Sequence, residues 1–125
     1  MIELTNPSKD LTERVLNEVD FEDRLTGYRL SERTGVTTIR LYSFEEVVGL
    51  LDDPHPRLDF DRLEQWVRET MEDPELAAKV QDVNQEDISD QLRTLRIRDL
   101  MALRFYQCME SSNEGHRRQQ GHIFK

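Results

Sequence analysis

The stretch Leu58–Val80, LDFDRLEQWVRETMEDPELAAKV, decides the fold because it contains two helices and the break between them. Its first half has one apolar face at helical spacing, formed by Phe60, Leu63, Trp66, Val67 and Met71. Asp73 then predicts a helix N-cap, and Pro74 suits the first turn that follows. The stretch therefore predicts two short amphipathic helices in succession.

Upstream of this stretch, the sequence predicts one more helix and a β-hairpin. SFEE, from Ser43 to Glu46, is a capping box at the start of a helix that ends at the prolines of DDPHP. VTTIRLY, over Val36–Tyr42, is rich in β-branched residues and predicts a strand. This strand pairs with LTGYRL, over Leu25–Leu30, across the polar turn SERTG.

The two ends of the chain complete the predicted architecture. Asn6 as cap and Pro7 at the first helical position predict the start of the first helix. A long final helix is predicted from about Ile88 to Glu110, since this segment lacks glycine and proline. Residues 111–125 are polar and interrupted by glycines, and predict a flexible tail. We therefore expect one mostly helical domain over residues 1–110 with one β-hairpin, and α+β as the minor alternative.

Charge is distributed unevenly along the chain. Residues 1–87 carry 22 acids and 10 bases, a net charge of −12, and we call this segment the acidic body. Residues 88–125 carry 4 acids and 7 bases, a net charge of +3. An acidic body repels phosphate backbones, so we expect no direct nucleic-acid binding.

Other features of the composition bear on the cellular compartment. The chain has no apolar run long enough for a membrane span, and its start lacks the basic-then-apolar order of a signal peptide. Its single cysteine cannot form an internal disulfide. These observations predict a protein of the reducing cytoplasm.

The stretch at 58–80, together with TG at 34–35 and YSFEEVVGLL at 42–51, resembles a family of small bacterial and archaeal domains of unknown function. The matching positions are Thr34, Gly35, Ser43, Glu46, His55, Asp61, Trp66, Val67, Asp73, Leu76 and Ala77. The chain departs from the family pattern at three places. Glu72 replaces a glycine, Leu63 stands where phenylalanine would directly follow the aspartate, and His55 lies about two residues farther from the tryptophan. The resemblance covers about residues 34–83 and implies a mostly helical fold with no particular activity.

Cys108, His116 and His122 raise the question of a zinc site or a nucleophile near the end of the chain. Structural zinc normally takes four ligands in close pairs, whereas here only one thiolate is present and the two histidines lie just outside the usual pair spacing. Cys108 also lies in an apolar helical segment, where a free cysteine behaves as a small hydrophobe. We therefore expect no metal and no cofactor.

A second candidate cluster follows the prolines. His55, Asp59, Asp61 and Glu64 lie close in sequence beside Trp66, and carboxylates with a histidine can bind a cation or a small ligand, or act as acid and base. Helix capping is the stronger interpretation of these aspartates. The chain contains no recognisable catalytic set.

The last helix is apolar nearly all round beyond Leu100, so that it is either central to the core or presents a surface to a partner. Its candidate interface residues are Leu103, Phe105, Tyr106 and Met109. We predict an acidic protein-interaction or adaptor module that self-associates through this helix or binds another protein. One alternative is an enzyme or a small-ligand or cation-binding protein that uses the His55 cluster. A third is an acidic mimic of nucleic acid that occupies a basic groove of another protein.

Overall fold

The computed structural model describes residues 4–31, 33, 35–53 and 57–123, with side chains throughout except at 29–31 and 114–123. This part of the chain is mostly helical with a two-stranded antiparallel hairpin, which confirms the predicted fold class. The elements are α1 (Lys9–Leu16), β1 (Leu25–Ser31), β2 (Gly35–Leu41), α2 (Phe44–Leu51), α3 (Phe60–Glu69), α4 (Pro74–Asn84) and α5 (Asp90–Ile123). A short 3₁₀ turn at Phe21–Asp23 precedes the hairpin.

The first helix begins later than the sequence predicted. α1 starts at Lys9, with the side chain of Ser8 as its cap, so the prediction of Asn6 as cap and Pro7 as first helical residue is wrong. The physical reason lies elsewhere in the fold. The backbone of Thr5 is hydrogen-bonded to side chains of α4 and α5, which holds the preceding segment outside the helix.

The predicted hairpin is confirmed. β1 and β2 pair antiparallel, from Leu25 opposite Leu41 to Ser31 opposite Gly35. Gly35 follows the turn with a φ of 71°, a conformation that glycine adopts without the steric cost of a Cβ atom.

Local capping explains where the middle helices begin. Ser43 Oγ accepts a hydrogen bond of 3.1 Å from the Glu46 N–H, as the capping box predicts. The carboxylate of Glu46 in turn accepts a hydrogen bond of 3.1 Å from the N–H of Tyr42, one residue before the cap. The side chains of Asp59 and Asp73 cap α3 and α4.

The turn between α3 and α4 contains a strained residue. Glu72 has a φ of 56°, and it is the one non-glycine residue with positive φ in the part of the chain that is described. The turn is closed by a hydrogen bond of 3.1 Å from the Asp73 N–H to the carbonyl of Val67. Arg14 of α1 donates a bond of 2.8 Å to the Met71 carbonyl and lies 3.4 Å from the Glu72 carboxylate.

α5 is the central element of the core and packs against α1, α2 and α4. It starts at Asp90, close to the predicted Ile88, and continues through Ile123, past the predicted end at Glu110. The flexibility predicted for residues 111–125 stays a prediction. Large side chains that are fully buried around α5 include Phe44, Leu51, Leu63, Val67, Met71, Leu76, Val80, Ile97 and Met101. None of the helices in the described ranges is long and apolar enough to cross a membrane.

Candidate interaction surface

One side of α5 faces the core. Its buried residues are Thr94, Ile97, Leu100, Met101, Arg104 and Cys108. Phe105 is partly buried and stacks on Phe44, with ring centroids 6.3 Å apart and ring planes 9° from parallel. Leu103 is also partly buried against the core. Two of the four predicted interface residues therefore contribute to packing inside the protein.

The opposite side of α5 carries four large apolar side chains that are exposed, together with one aspartate and one alanine. Its positions are Leu92, Leu95, Asp99, Ala102, Tyr106 and Met109, which we call the α5 seam. Their spacing alternates between three and four residues, which places them on one side of the helix over about 26 Å. The four large apolar side chains are between 38% and 62% exposed. Such a 3–4 alternation is the pattern with which helices pack on other helices.

The seam contains both predicted and unpredicted residues. Tyr106 and Met109 were predicted as interface residues, and they are 62% and 44% exposed. Leu92 and Leu95 were not predicted, because their spacing from Ile88 is equally typical of a buried stripe. The alternating spacing from Leu92 to Met109 was the signal in the sequence that could have identified them.

A recess lies beside the aromatic ring of the seam. It has a volume of ≈ 270 Å³. Its lining residues are Asn6, Pro7, Tyr106, Gln107, Glu110 and Ser111. The segment before α1 thus forms one wall of this recess, and α5 forms the other wall, to which the seam contributes Tyr106.

A buried ion-pair network fixes the inner side of the same helix. Arg104 is 1% exposed, and its Nε lies 2.9 Å from Oδ2 of Asp73, which is 2% exposed. Its Nη2 lies 2.8 Å from Oε1 of Glu75, and its Nη1 donates a hydrogen bond of 2.7 Å to the carbonyl of Thr5. One arginine therefore joins α5, the start of α4 and the segment before α1.

Glu75 completes this network from the solvent side. Its Oε1 accepts hydrogen bonds from the N–H and the hydroxyl of Thr5, at 3.0 and 2.9 Å. Desolvation raises the pKa of Glu75, but the hydrogen bonds from Thr5 and Arg104 outweigh it, so the pKa lies below the ordinary glutamate value. The hydrogen bonds from Thr5 and Arg104 therefore keep Glu75 in its charged form.

Cys108 packs as a small hydrophobe, as the sequence predicts. The side chain is fully buried, and this desolvation raises the pKa of its thiol. The thiol is therefore neutral and out of reach of solvent, which is not the environment of a nucleophile. The side chains of His116 and His122 lie outside the described residues. No group of three or more His, Cys, Asp or Glu residues that could hold a metal ion occurs among the residues that the structure describes.

Members of the His55 cluster are engaged in separate structural contacts. Oδ1 of Asp59 accepts a hydrogen bond of 3.0 Å from the Asp61 N–H at the start of α3. Glu64 forms an ion pair with Arg68 one turn later on the same helix. His55 itself lies outside the described residues. The carboxylates of Asp59 and Glu64 therefore cap and support α3.

Trp66 is only 5% exposed and anchors α3 to the segment before the hairpin. Its Nε1 donates a hydrogen bond of 2.7 Å to the carbonyl of Asp23. Two open clefts of ≈ 370 and ≈ 420 Å³ adjoin this contact and share Asp23 and Thr70. Carboxylates line the first cleft, namely Asp10, Glu13, Glu18, Asp20 and Asp23. This part of the acidic body therefore presents a negatively charged surface.

No protein-family model matches this chain. No curated protein and no solved structure matches it either. The resemblance of residues 34–83 to a family of unknown function stays a prediction, and the geometry of α5 is the basis for a functional assignment.

Proposed function

We propose that this protein is an interaction module that binds an amphipathic helix of a protein partner along the α5 seam. The observation that carries the proposal is the pair of opposite apolar sides on α5. One side is buried in the core, while Leu92, Leu95, Tyr106 and Met109 on the other side are exposed at coiled-coil spacing. Self-association through this surface is its simplest form.

Leaving this surface in water costs free energy that a partner would recover. Full burial of one exposed large apolar side chain yields about 1.5–3 kcal/mol, and each of the four seam side chains, already partly buried, can yield roughly half of that. A partner helix that presents apolar residues with the same alternation would bury them together. Tyr106 fits this role because aromatic side chains contribute strongly to interfaces and its hydroxyl group can stay in water.

The distribution of charge along the chain also favours α5 over the acidic body as the docking surface. The acidic body repels other acidic proteins, whereas α5 belongs to the segment with a net charge of +3. An approaching acidic protein therefore meets less repulsion at α5 than elsewhere on the surface.

The proposal is tested by capture of partners with matched variants. Leu95→Ser combined with Tyr106→Ser removes apolar surface from the seam, and Val36→Ser removes an equally exposed apolar residue from the hairpin. We expect proteins captured by the wild type in cells of the native host to be retained by Val36→Ser and lost by the double variant. Identical sets of captured proteins for all three would contradict the proposal.

Two aspartate variants at adjacent positions test whether the seam contributes to association without being needed for folding. Tyr106→Asp places a charge in water and should leave the helical circular-dichroism signal intact while association is lost. Phe105→Asp places a charge against Phe44 and should destabilise the fold, because a buried charge has no partner there. Unfolding by Tyr106→Asp would show instead that the seam is part of the folding core.

A further inference from the structure

We propose that the partner at the α5 seam is a second copy of this chain. The two α5 helices pack antiparallel, and the two-fold axis between them crosses each helix midway between Leu100 and Met101. This inference rests on the proposed function of the seam and specifies its partner. It follows from the order of residues along the seam, their charges and the distribution of charge over the whole chain.

The seam has the same spacing when it is read in either direction. The intervals from Leu92 to Met109 are three, four, three, four and three residues, so that an antiparallel copy brings every seam position opposite another seam position. The facing pairs are Leu92 with Met109, Leu95 with Tyr106 and Asp99 with Ala102. Each pair occurs twice in the dimer, as expected for a self-complementary interface about a two-fold axis.

The polar position in the middle of the seam selects the antiparallel orientation. In a parallel pair in register, Asp99 would face Asp99 of the second copy, and two like charges would be brought together between the helices. In the antiparallel pair, Asp99 faces the small side chain of Ala102, which leaves space for the carboxylate and its water. The helix dipoles are also opposed rather than aligned in this arrangement.

Among the contacts that two copies could make, the net charges disfavour the one through α5 less than one between the acidic bodies. Contact through α5 brings together two segments of net charge +3, whereas contact between the acidic bodies would bring together two segments of net charge −12.

The first test measures the mass of the protein in solution and how substitutions in the seam change its dimerisation. Sedimentation equilibrium of the full chain should give about twice the monomer mass of 14.9 kDa. Leu95→Ser combined with Tyr106→Ser should raise the dissociation constant at least about 100-fold, whereas Val36→Ser should leave it unchanged. A dimer that the double serine variant does not weaken would overturn the inference.

The second test measures orientation by disulfide cross-linking of the full chain under mild oxidation. Leu95→Cys and Tyr106→Cys proteins should cross-link when mixed and should not cross-link when each is oxidised alone. Val36→Cys serves as the control for random collision, and the native Cys108 is fully buried. Efficient cross-linking of Leu95→Cys to itself would indicate a parallel pair and would overturn the proposed register.

The two proposals can fail separately. A monomeric wild type whose captured partner is lost by the double serine variant overturns the second copy and supports the seam as a binding surface for another protein. A monomeric wild type whose captured proteins do not change with the double variant overturns both.

Discussion

Arg104 carries a positive charge into the core and is balanced there by Asp73 and Glu75. We expect Arg104→Ala to lower the free energy of unfolding by about 3–5 kcal/mol, because it leaves the buried carboxylate of Asp73 without the cation that balances its charge. The matched control is Arg68→Ala, which breaks a partly exposed ion pair with Glu64 and should cost no more than about 1 kcal/mol. Urea denaturation followed by circular dichroism measures both. Equal losses for the two variants would contradict a special role for the buried charge.

For Glu72 we predict a substitution that increases the stability of the protein. Its φ of 56° is costly for a residue with a side chain, and its ion pair with Arg14 is largely exposed. Glu72→Gly should therefore raise the free energy of unfolding by about 0.5–1 kcal/mol, after the entropy that glycine gains in the unfolded chain is deducted. Glu72→Ala removes the same ion pair without relieving the backbone, and we expect no gain from it. A loss of stability in both variants would show that the carboxylate matters more than the backbone conformation.

The segment before α1 is attached to the helices by contacts that depend on pH. The pKa of Glu75 is lowered in the folded protein, so its contribution to stability is fully present above the ordinary pKa of 4.5 and is lost as the pH falls through the folded value. The stability advantage of the wild type over Glu75→Gln should therefore shrink on acidification below about pH 4.5. Urea denaturation over a pH series measures this difference, and exchange of the Thr5 amide hydrogen reports on the segment itself. A difference that stays constant down to low pH would contradict this assignment.

The elements differ in how far the sequence alone predicts them. α2, α4 and the hairpin follow from short-range signals, such as the side chain of Ser43 at a helix start. The start of α1 was mispredicted because Thr5 is bound to Glu75, a residue 70 positions away that no local pattern reveals. The burial of Arg104 could not be predicted from the sequence either. An arginine in a helix is normally exposed, and its partner Asp73 is distant in sequence, at the N-cap of α4.

The candidate surface was predicted only in part for a related reason. Apolar residues on several sides of the last helix indicated that one side was available, but only the packing of α1, α2 and α4 determines which side is covered. Phe105 is turned inward by its contact with Phe44, and the adjacent Tyr106 is consequently turned outward. A shift of one residue along a helix is a rotation of about 100°, which a prediction from composition cannot resolve.

The net charge of −9 is a property of the whole molecule and leads to a prediction about salt. Repulsion within the acidic body opposes folding, and ions screen it over about 10 Å at 0.1 M salt. We expect the melting temperature of the Leu95→Ser, Tyr106→Ser variant to rise with moderate sodium chloride, since this variant reports on the monomer. Calorimetry at a series of salt concentrations measures the effect. A fall in melting temperature would indicate that attractive ion pairs such as that of Arg98 with Asp52 outweigh the repulsion.

The central position of α5 has a consequence for the order of events during synthesis. The four helices that precede it leave the ribosome first, and their apolar faces have no common partner until α5 follows. Translation from Asp90 to Cys108 alone takes about 1–4 s at roughly 5–20 residues per second. During that interval the nascent chain exposes the side chains that will later enclose Met101, and the acids of residues 1–87 surround them. We expect mutual repulsion between neighbouring nascent chains to limit aggregation of this unfinished core until the helix that completes it has been made.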